Sequence, residues 1–173
     1  MAVRDILLLG NPVLNEPSEL VEKDELSVAK AVGRDLHDTL TDFRARHGWG
    51  RAIAAPQIGV LKRIIYLHIE RPWLIINPRM LRLSKETMEL WDDCMSFPDL
   101  LVRVKRHCSF TLAYRDEQWA EHTLVVDGVL SELLQHEIDH LDGVLAVSRV
   151  IDGTSFALRS QRHLLKGALF ADA

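Results

Sequence analysis

Long apolar segments are missing from this sequence. The early apolar run at residues 6–9 stops at Gly10-Asn11-Pro12, so it is too short for the hydrophobic part of a signal peptide or for a membrane helix. Cysteine is also scarce, with 2 in 173 residues, which excludes a disulfide framework. Both absences predict an intracellular protein, placed in the cytoplasm, whose thiols stay reduced.

A cluster of basic residues is absent as well. The chain carries 21 Lys and Arg against 25 Asp and Glu, for a net charge of -4, and the cations are dispersed along it. The sequence therefore gives no sign of a nucleic-acid surface. It also lacks repeats and low-complexity linkers, while 47% of its residues are hydrophobic. This composition predicts a single globular domain, residues 1–173, with a core of ordinary size.

The spacing of apolar residues predicts the helices. Residues 27–47 carry an apolar stripe with a period of three to four, and Gly48 is suited to end that helix. Residues 129–141 form a second helix that is apolar on most sides, so we expect it to be buried. A third helix of weaker amphipathicity is predicted at residues 154–169.

Strands are predicted where β-branched and aromatic residues concentrate or alternate with polar ones. These segments are residues 63–69, 73–76, 86–91, 108–114, 122–126 and 144–147. Residues 116–118 have the composition of a turn, so the strands on either side of it form an antiparallel hairpin. Cys108 alternates with the apolar residues of its strand, which predicts a core position. Residues 48–59 are rich in small residues, and such a backbone lets a ligand approach closely.

Residues 135–140, which read Gln-His-Glu-Ile-Asp-His, concentrate ionisable groups in the helix that should be buried. Their spacing of four places His136 and His140 on one face of a helix, where both imidazoles can reach one divalent metal ion. Glu137 then lies beside the ion, where a carboxylate can take a proton from water. Burying these groups is costly unless they bind a metal, which favours a metal site over a helix that carries two histidines by accident.

The third ligand decides the class of such a site. A metzincin has a third His where this chain has Ala146, and a thermolysin-like site has a downstream Glu, whereas no Glu follows His140. His163 and Asp152 lie downstream but match neither pattern. Cys94 lies upstream in an irregular segment, and a thiolate is a good ligand for Zn²⁺ or Fe²⁺. Cys94 with the two histidines is the most complete ligand set, and the alternative is that Cys94 is a buried free thiol.

Three segments together resemble the motifs of the peptide deformylase family. The family pattern G-x-G-x-A-A-x-Q appears at residues 50–57 as GRAIAAPQ, E-G-C-x-S appears at residues 92–96 as DDCMS, and Q-H-E-x-D-H is matched in full at residues 135–140. The resemblance covers most of the chain. It implies an α+β fold in which antiparallel β-sheets are packed around a central metal-binding helix.

The resemblance also implies a metal centre and a reaction. Cys94, His136 and His140 would hold one metal ion per chain, typically Fe²⁺ in similar proteins, with Zn²⁺ or Ni²⁺ also able to occupy the site. Glu137 would take a proton from the attacking water and pass it to the leaving amine. The reaction would convert N-formylated nascent peptides, met at the ribosome, into formate and a free N-terminal amine.

Two donors and a set of wall residues would complete such a site. The side-chain amide of Gln57 and the backbone N–H of Met95 would donate hydrogen bonds to the oxyanion that develops during attack. The residues that would contact substrate lie in the first two motifs and on the motif helix. They are Gly50, Arg51, Ala52, Asp93, Val129, Glu132 and Leu133.

Several positions depart from the family pattern. Ala52 replaces a Gly of the small-residue segment, and Asp92-Asp93 replaces the Glu-Gly that precedes the motif cysteine. Asp92 is one methylene shorter than Glu, and we expect it to support the site through a basic partner such as Arg106. These changes affect substrate fit more than metal binding.

Arg51 and Glu132 lie where similar enzymes build an apolar pocket for a methionine side chain. One hypothesis is that they face each other, which would polarise the pocket and disfavour a thioether. The alternative is that both turn out to solvent and leave the pocket apolar. The first case favours a related metal-dependent amidase with a different N-acyl group or first residue. A metal-binding protein without turnover is a further possibility, although it would require neither Glu137 nor Gln57.

Overall fold

Antiparallel strands and two helices form the described part of the chain, residues 2–165, in a computed structural model. The helices are α1 (Leu26–His47) and α2 (Gly128–Leu141). The strands are β1 (Ala52–Ala54), β2 (Ile64–His68), β3 (Pro72–Leu81), β4 (Thr87–Asp93), β5 (Leu100–His107), β6 (Ser109–Arg115), β7 (Glu121–Asp127) and β8 (Phe156–Leu158).

The strands form two sheets in which every named pair is antiparallel. The larger sheet has the order β1-β2-β3-β6-β7, and the smaller one has the order β4-β5-β8. The predicted hairpin is confirmed as β6 and β7, which pair from Ser109 with Asp127 to Arg115 with Glu121. The expected α+β class is therefore confirmed.

The two helices cover opposite faces of the larger sheet. Alternation along β2 sends Ile64 and Tyr66 into the core with α1, and sends Ile65 and Leu67 into the core with α2. Burying one such aliphatic side chain contributes about 1.5–3 kcal/mol, so this two-sided strand anchors both helices. The predicted apolar stripe of α1 is buried at Val32, Leu36, Leu40 and Phe43, whereas Val28 in its first turn is exposed.

The helix α2 also contacts the smaller sheet. The side-chain amide of Gln135 accepts a hydrogen bond from the backbone N–H of His107 at 2.9 Å and donates one to its carbonyl at 2.8 Å. These two hydrogen bonds connect the middle of α2 to the end of β5. All residues from Ser131 to Leu141 are buried, as expected for a helix with apolar residues on most sides.

The end of α1 sets the path of the chain into β1. Gly48 ends the helix with φ 75, a left-handed conformation that favours glycine, and its N–H reaches the carbonyl of Arg44 at 2.8 Å. The guanidinium of Arg44 then donates to the carbonyl of Gly50 at 2.9 and 2.7 Å and to that of His68 at 2.6 Å. The segment rich in small residues, residues 48–59, contains β1 and a 3-10 turn at Ala55–Ile58.

The strand predicted at residues 73–76 is longer in the structure, and Asn77-Pro78 forms an irregularity within β3. The register of β3 against β6 shifts between Ile76 and Arg79, and Asn77 has φ 52. The side-chain amide of Asn77 accepts from the N–H of Val21 at 2.9 Å and donates to its carbonyl at 2.8 Å. These hydrogen bonds compensate for the backbone hydrogen bonds between β3 and β6 that are missing at the irregularity, so the strand continues to Leu81.

Three other local predictions are wrong. Residues 144–147 form no strand, and a 3-10 turn spans Ala146–Arg149. Cys108 lies at the bend between β5 and β6 and is half-buried, outside the core. Residues 154–165 contain β8 and a 3-10 turn at Arg159–Leu164 in place of a helix, because β8 pairs with the edge of β5. Residues 166–169 of that predicted helix lie outside the described residues.

Candidate metal centre

The structure brings Cys94, His136 and His140 to one buried point. The two histidines project from the same face of α2, and Cys94 comes from the turn that follows β4. Nε2 of His140 lies 3.2 Å from Nε2 of His136 and 3.2 Å from Sγ of Cys94. The ligand atoms of the three residues all lie within 4.8 Å of one another.

This group of donor atoms fits a transition-metal ion. The separations of 3.2 Å are those expected when neighbouring ligands surround one ion with bonds of about 2.0–2.3 Å. A thiolate with two imidazoles is a donor set that suits zinc and iron, and less so magnesium or calcium. The predicted ligands are therefore placed where they could hold a metal ion together.

Asp92 orients the first of the two histidines. Its Oδ1 lies 2.9 Å from Nδ1 of His136, although the contact is poorly aligned for a hydrogen bond, and its Oδ2 accepts a hydrogen bond from Nη2 of Arg106 at 2.9 Å. A carboxylate at Nδ1 favours the tautomer with its proton on that nitrogen, which leaves the lone pair of Nε2 for a metal. The expected partnership of Asp92 with Arg106 is confirmed.

A buried ionic network continues behind Asp92. Arg106 also donates a hydrogen bond to Oδ2 of Asp139, and the other oxygen of Asp139, Oδ1, accepts a hydrogen bond from Arg149 at 2.7 Å. Burial alone would raise the pKa of Asp92, but the nearby charges of His136 and Arg106 outweigh it and hold that pKa well below its usual range. Asp92 therefore stays ionised beside the candidate metal ligand.

Glu137 is a carboxylate with the properties of a general base. It is buried beside His136, and its Oε2 accepts no hydrogen bond from any described residue. Burial raises the pKa of Glu137 to about 7 in the metal-free protein. A carboxyl group with a pKa near neutrality can accept a proton and release it again at physiological pH.

Gln57 directs its amide nitrogen towards the same centre. Its Oε1 accepts a hydrogen bond from the backbone N–H of Ala54 at 2.9 Å, which fixes the orientation of the amide group. Its Nε2 then lies 3.6 Å from Sγ of Cys94 and 3.2 Å from Oγ of Ser96. The backbone N–H of Met95, the other predicted donor, has no hydrogen-bond acceptor within residues 2–165.

A cavity of about 250 Å³ opens onto these groups. Its walls include Cys94, His136, Glu137 and Gln57. Most of the predicted substrate contacts also line it, namely Gly50, Arg51, Ala52, Asp93, Glu132 and Leu133. Val129 is not brought to the cavity, because it lies in the first turn of α2 and is 49% exposed.

Arg51 and Glu132 face each other across the wall of this cavity. Nη2 of Arg51 lies 3.3 Å from Oε1 and 3.5 Å from Oε2 of Glu132, and the two side chains are 15% and 9% exposed. The hypothesis that the pair meets is confirmed, and its alternative, in which both turn out to solvent, is wrong. Burial, with the nearby charge of Asp92, raises the pKa of Glu132 to about 7 despite the opposing effect of Arg51.

Sequence reasoning missed the residues at the mouth of the cavity. The guanidinium of Arg159 stacks 3.8 Å from the ring centroid of Trp49, and it donates to Asp93 at 2.9 Å and to the carbonyl of Pro98 at 2.7 Å. Arg162 lines the same mouth. The aromatic Trp49 beside the first motif was a local signal, but nothing near Arg159 in the sequence indicated its position.

Comparisons with known proteins agree with the geometry of this centre. A family model for polypeptide deformylases matches residues 3–155. The peptide deformylase of Leptospira biflexa is 37% identical over 164 residues, which cover 87% of this chain and 89% of the relative. That of Agrobacterium fabrum is 33% identical over 156 residues, which cover 87% and 88%.

Solved structures give the same result. The crystal structure of peptide deformylase from Thermotoga maritima matches with a TM-score of 0.80 and 27% identity, over 88% of this chain and 100% of that one. The enzyme from Synechococcus elongatus in complex with actinonin matches with a TM-score of 0.79 and 30% identity, over 90% of this chain and 88% of that one.

Proposed function

The chain belongs to the polypeptide deformylase family, and from this premise we propose how its own residues carry out the family reaction. Its activity is hydrolytic removal of the N-terminal formyl group from nascent peptides, so it is a hydrolase of protein biosynthesis. The observation that carries the proposal is the convergence of Cys94, His136 and His140 beside Glu137 in a single cavity.

Cys94, His136 and His140 would hold one divalent metal ion, and we propose Fe²⁺ as the resident ion, with Zn²⁺ or Ni²⁺ able to replace it. When bound, such an ion supplies the Lewis acidity that brings the pKa of a water towards neutrality and polarises a carbonyl group. Asp92 supports this role of the site by holding the imidazole of His136 with its Nε2 towards the other two ligands.

Glu137 moves the proton of the reaction. Oε2 of Glu137 faces no donor among the described residues, so it is free to accept a proton as a water oxygen bonds to the formyl carbon. The carbon–nitrogen bond then breaks, and Glu137 passes the same proton to the nitrogen. The products are formate and a peptide with a free N-terminal amine.

Gln57 and Met95 stabilise the negative charge that develops on the formyl oxygen. The amide of Gln57 is already oriented by Ala54, so little reorganisation is needed when charge develops. The N–H of Met95 is free of acceptors within the described residues and supplies a second donor. The loss of one such donor typically costs about 2.7–4 kcal/mol in the transition state.

We also propose where the reaction takes place. Formyl groups stand on polypeptides as they are synthesised, which supports a cytoplasmic enzyme that meets nascent chains at the ribosome, with residues 1–173 as one catalytic domain. No helix within residues 2–165 is long and apolar enough to cross a membrane. Co-sedimentation of the protein with translating ribosomes at physiological salt tests whether it acts at the ribosome. If the protein does not co-sediment under these conditions, the proposal that it meets nascent chains at the ribosome is contradicted.

An assay of formate release tests the proposed chemistry. The protein is purified without oxygen and its metal content is measured. Formate and the free N-terminal amine are then followed with formyl-Met-Ala-Ser as substrate, and the free amine is followed with acetyl-Met-Ala-Ser as control. We expect one metal ion per chain, formate and free amine from the formyl peptide, and no free amine from the acetyl peptide. Absence of formate from metal-loaded protein with every formyl peptide tested would contradict the proposal.

A further inference from the structure

Arg159 connects the two sides of the mouth of the cavity. We propose that it is a positioning residue that holds these two sides at the spacing a bound polypeptide needs, so that it determines how well the residues after the first one are bound. Arg159 lies beyond residues 3–155, which match the family model, so this role belongs to a part of the chain outside that match. The inference rests on the proposed function, because it concerns the binding of a formylated polypeptide.

The mouth lies between the edges of two different sheets. On one side, Trp49 and Gly50 lead into β1, the edge strand of the larger sheet. On the other side, Asp93 ends β4, an edge strand of the smaller sheet. Backbone hydrogen bonds fix the spacing of strands within a sheet, but β1 and β4 are not paired with each other. The spacing of the two sides must therefore be set by other contacts.

At the buried end of the cavity, the segments that carry the catalytic groups hold the two sides together. Nε2 of Gln57 lies 3.2 Å from Oγ of Ser96. The N-terminal segment also joins these two residues, because the N–H of Leu7 donates to the carbonyl of Gln57 and that of Leu9 donates to the carbonyl of Ser96, both at 2.8 Å. None of these contacts involves Arg159, so the spacing at the metal centre does not depend on it.

At the mouth, the guanidinium of Arg159 makes the connection. Its face stacks 3.8 Å from the ring centroid of Trp49, which itself packs edge-on against Phe43 of α1 with 4.9 Å between ring centroids. Its edge donates to the other side, from Nη2 to the carboxylate of Asp93 at 2.9 Å and from Nε to the carbonyl of Pro98 at 2.7 Å. One side chain therefore contacts the β1 side through its face and the β4 side through its edge.

The backbone and the chemistry of Arg159 both suit this role. It follows β8, which pairs with β5, and its N–H donates to the carbonyl of Asp99 at 2.8 Å, so the start of the side chain is fixed. The side chain is only 21% exposed. A lysine would keep the charge but lacks the planar group that can stack on a ring while it donates from its edge in fixed directions.

A polypeptide bound at the metal centre passes through this mouth. Cys94, His136 and Glu137 are buried, Gly48 at the other end of the cavity is exposed, and the cavity holds about 250 Å³. The residue that carries the formyl group therefore occupies the interior, and the residues that follow it lie between the two sides of the mouth. Walls that are held in place before binding lose less conformational freedom when a peptide binds. Loss of Arg159 should thus weaken the binding of longer peptides and affect bond cleavage little.

Two formylated substrates of different length measure this effect. Formyl-Met-Ala-Ser extends into the mouth, whereas formyl-methionine amide ends at the first residue. In Arg159→Ala we expect KM for formyl-Met-Ala-Ser to rise by about tenfold with kcat close to that of wild type, because binding is lost and not stabilisation of the transition state. The change in kcat/KM for formyl-methionine amide should be much smaller. Arg159→Lys should resemble Arg159→Ala, since the stacked fork is lost although the charge remains.

A double variant and a control assign the effect to the contacts of Arg159. Asp93→Asn should raise KM for formyl-Met-Ala-Ser, and its effect should be less than additive with that of Arg159→Ala, because both variants weaken the same contact. The matched control is Arg103→Ala, which removes an exposed ion pair with Glu89 on the smaller sheet, outside the cavity. The control should keep the wild-type KM for both substrates.

The outcomes separate this inference from the function on which it rests. Losses of equal size with the two substrates, or a loss mainly in kcat, would overturn the inference and leave the proposed function intact. An unchanged KM for formyl-Met-Ala-Ser in Arg159→Ala would do the same, as would wild-type behaviour of Arg159→Lys, since a positive charge alone would then suffice. Absence of formate from both substrates with metal-loaded wild-type protein would overturn the proposed function, and the inference with it.

Discussion

The carboxylate of Asp92 lies 2.9 Å from Nδ1 of His136, on the side of the imidazole that faces away from the other two candidate ligands. The opposite oxygen of Asp92 accepts a hydrogen bond from Arg106, so the carboxylate is held from both sides. Asp92 thus lies at the position where the family motif has the longer Glu, and its side chain still reaches His136. The metal centre depends on this support, which gives the first prediction.

Asp92→Asn should weaken metal binding by about 10- to 100-fold, because the charge that orients His136 and favours the tautomer with a proton on Nδ1 is lost. Competition with a chromophoric chelator measures the dissociation constant. Asp93→Asn is the matched control, since Asp93 is adjacent in sequence but pairs with Arg159 and not with a candidate ligand. Equal metal affinity in the Asp92→Asn variant and the wild type would contradict the role given to Asp92.

Glu137→Gln should lower kcat by about 10²- to 10⁴-fold, because the base that accepts the proton of the attacking water is removed while the shape of the side chain is kept. The metal content should stay at one ion per chain, since Glu137 is not among the candidate ligands. Formate release and metal analysis on the same sample check both statements. A variant that retains its metal and most of its rate would show that another group moves the proton.

Gln57→Leu should lower kcat by about 10²- to 10³-fold with a smaller effect on KM, because the amide donates to charge that is present mainly in the transition state. Ser96→Ala is the comparison, because it removes the hydroxyl group that contacts Nε2 of Gln57 but leaves the amide in place. We expect a smaller loss for Ser96→Ala. Equal losses in the two variants would contradict a direct role of Gln57.

The stability of the metal-free protein should respond to pH through Glu132. Burial raises the pKa of Glu132 to about 7 from an ordinary value of 4.5, so the folded state binds this proton more tightly than the unfolded state. The ionised carboxylate of Glu132 therefore lowers the free energy of unfolding. This loss is absent at pH values below the ordinary pKa of 4.5 and is complete at pH values above the raised pKa of about 7. Glu132→Gln removes that loss. Its free energy of unfolding, relative to wild type, should increase from about pH 5 to about pH 8.

Denaturant unfolding of the metal-free wild type and the Glu132→Gln variant at both pH values measures this difference. Glu121→Gln serves as the control, because Glu121 is an exposed member of the Arg79 pair. Its difference from wild type should be similar at the two pH values. A Glu132→Gln difference that is constant or smaller at the higher pH would contradict the titration assigned to Glu132.

The metal-binding helix was predictable because its signals are local. The spacing of His136 and His140 fixes their common face once the segment is helical, and the surrounding apolar residues predict burial. The contact between Arg51 and Glu132 was harder to predict from the sequence, because it depends on how β1 packs against α2. Two alternatives were open, and only the structure decided between them.

The strand β5 was missed although its residues alternate. Val102, Val104 and Arg106 are buried while Arg103 and Lys105 are exposed, which is the pattern of a half-buried strand. The alternation was hard to recognise because Arg106, a charged residue, occupies a core position. Arg106 can be buried there because Asp92 and Asp139 neutralise its charge.

The end of the described chain was predicted incorrectly for a different reason. The strand β8 exists because Phe156, Ala157 and Leu158 pair with the edge of β5, more than fifty positions earlier. Local propensity cannot reveal a pairing of this range, and the position of Arg159 against Asp93 follows from it.

X-ray absorption at the edge of the bound metal tests the central claim most directly, because it reports which atoms surround the ion. With protein loaded with one divalent ion, the account predicts one sulfur at about 2.3 Å together with two imidazole nitrogens. The sulfur should disappear in Cys94→Ser and remain in Cys108→Ser, since Cys108 is the other cysteine and lies at a bend outside the site. A wild-type ion with no sulfur neighbour, or a sulfur that persists in Cys94→Ser, would contradict the account.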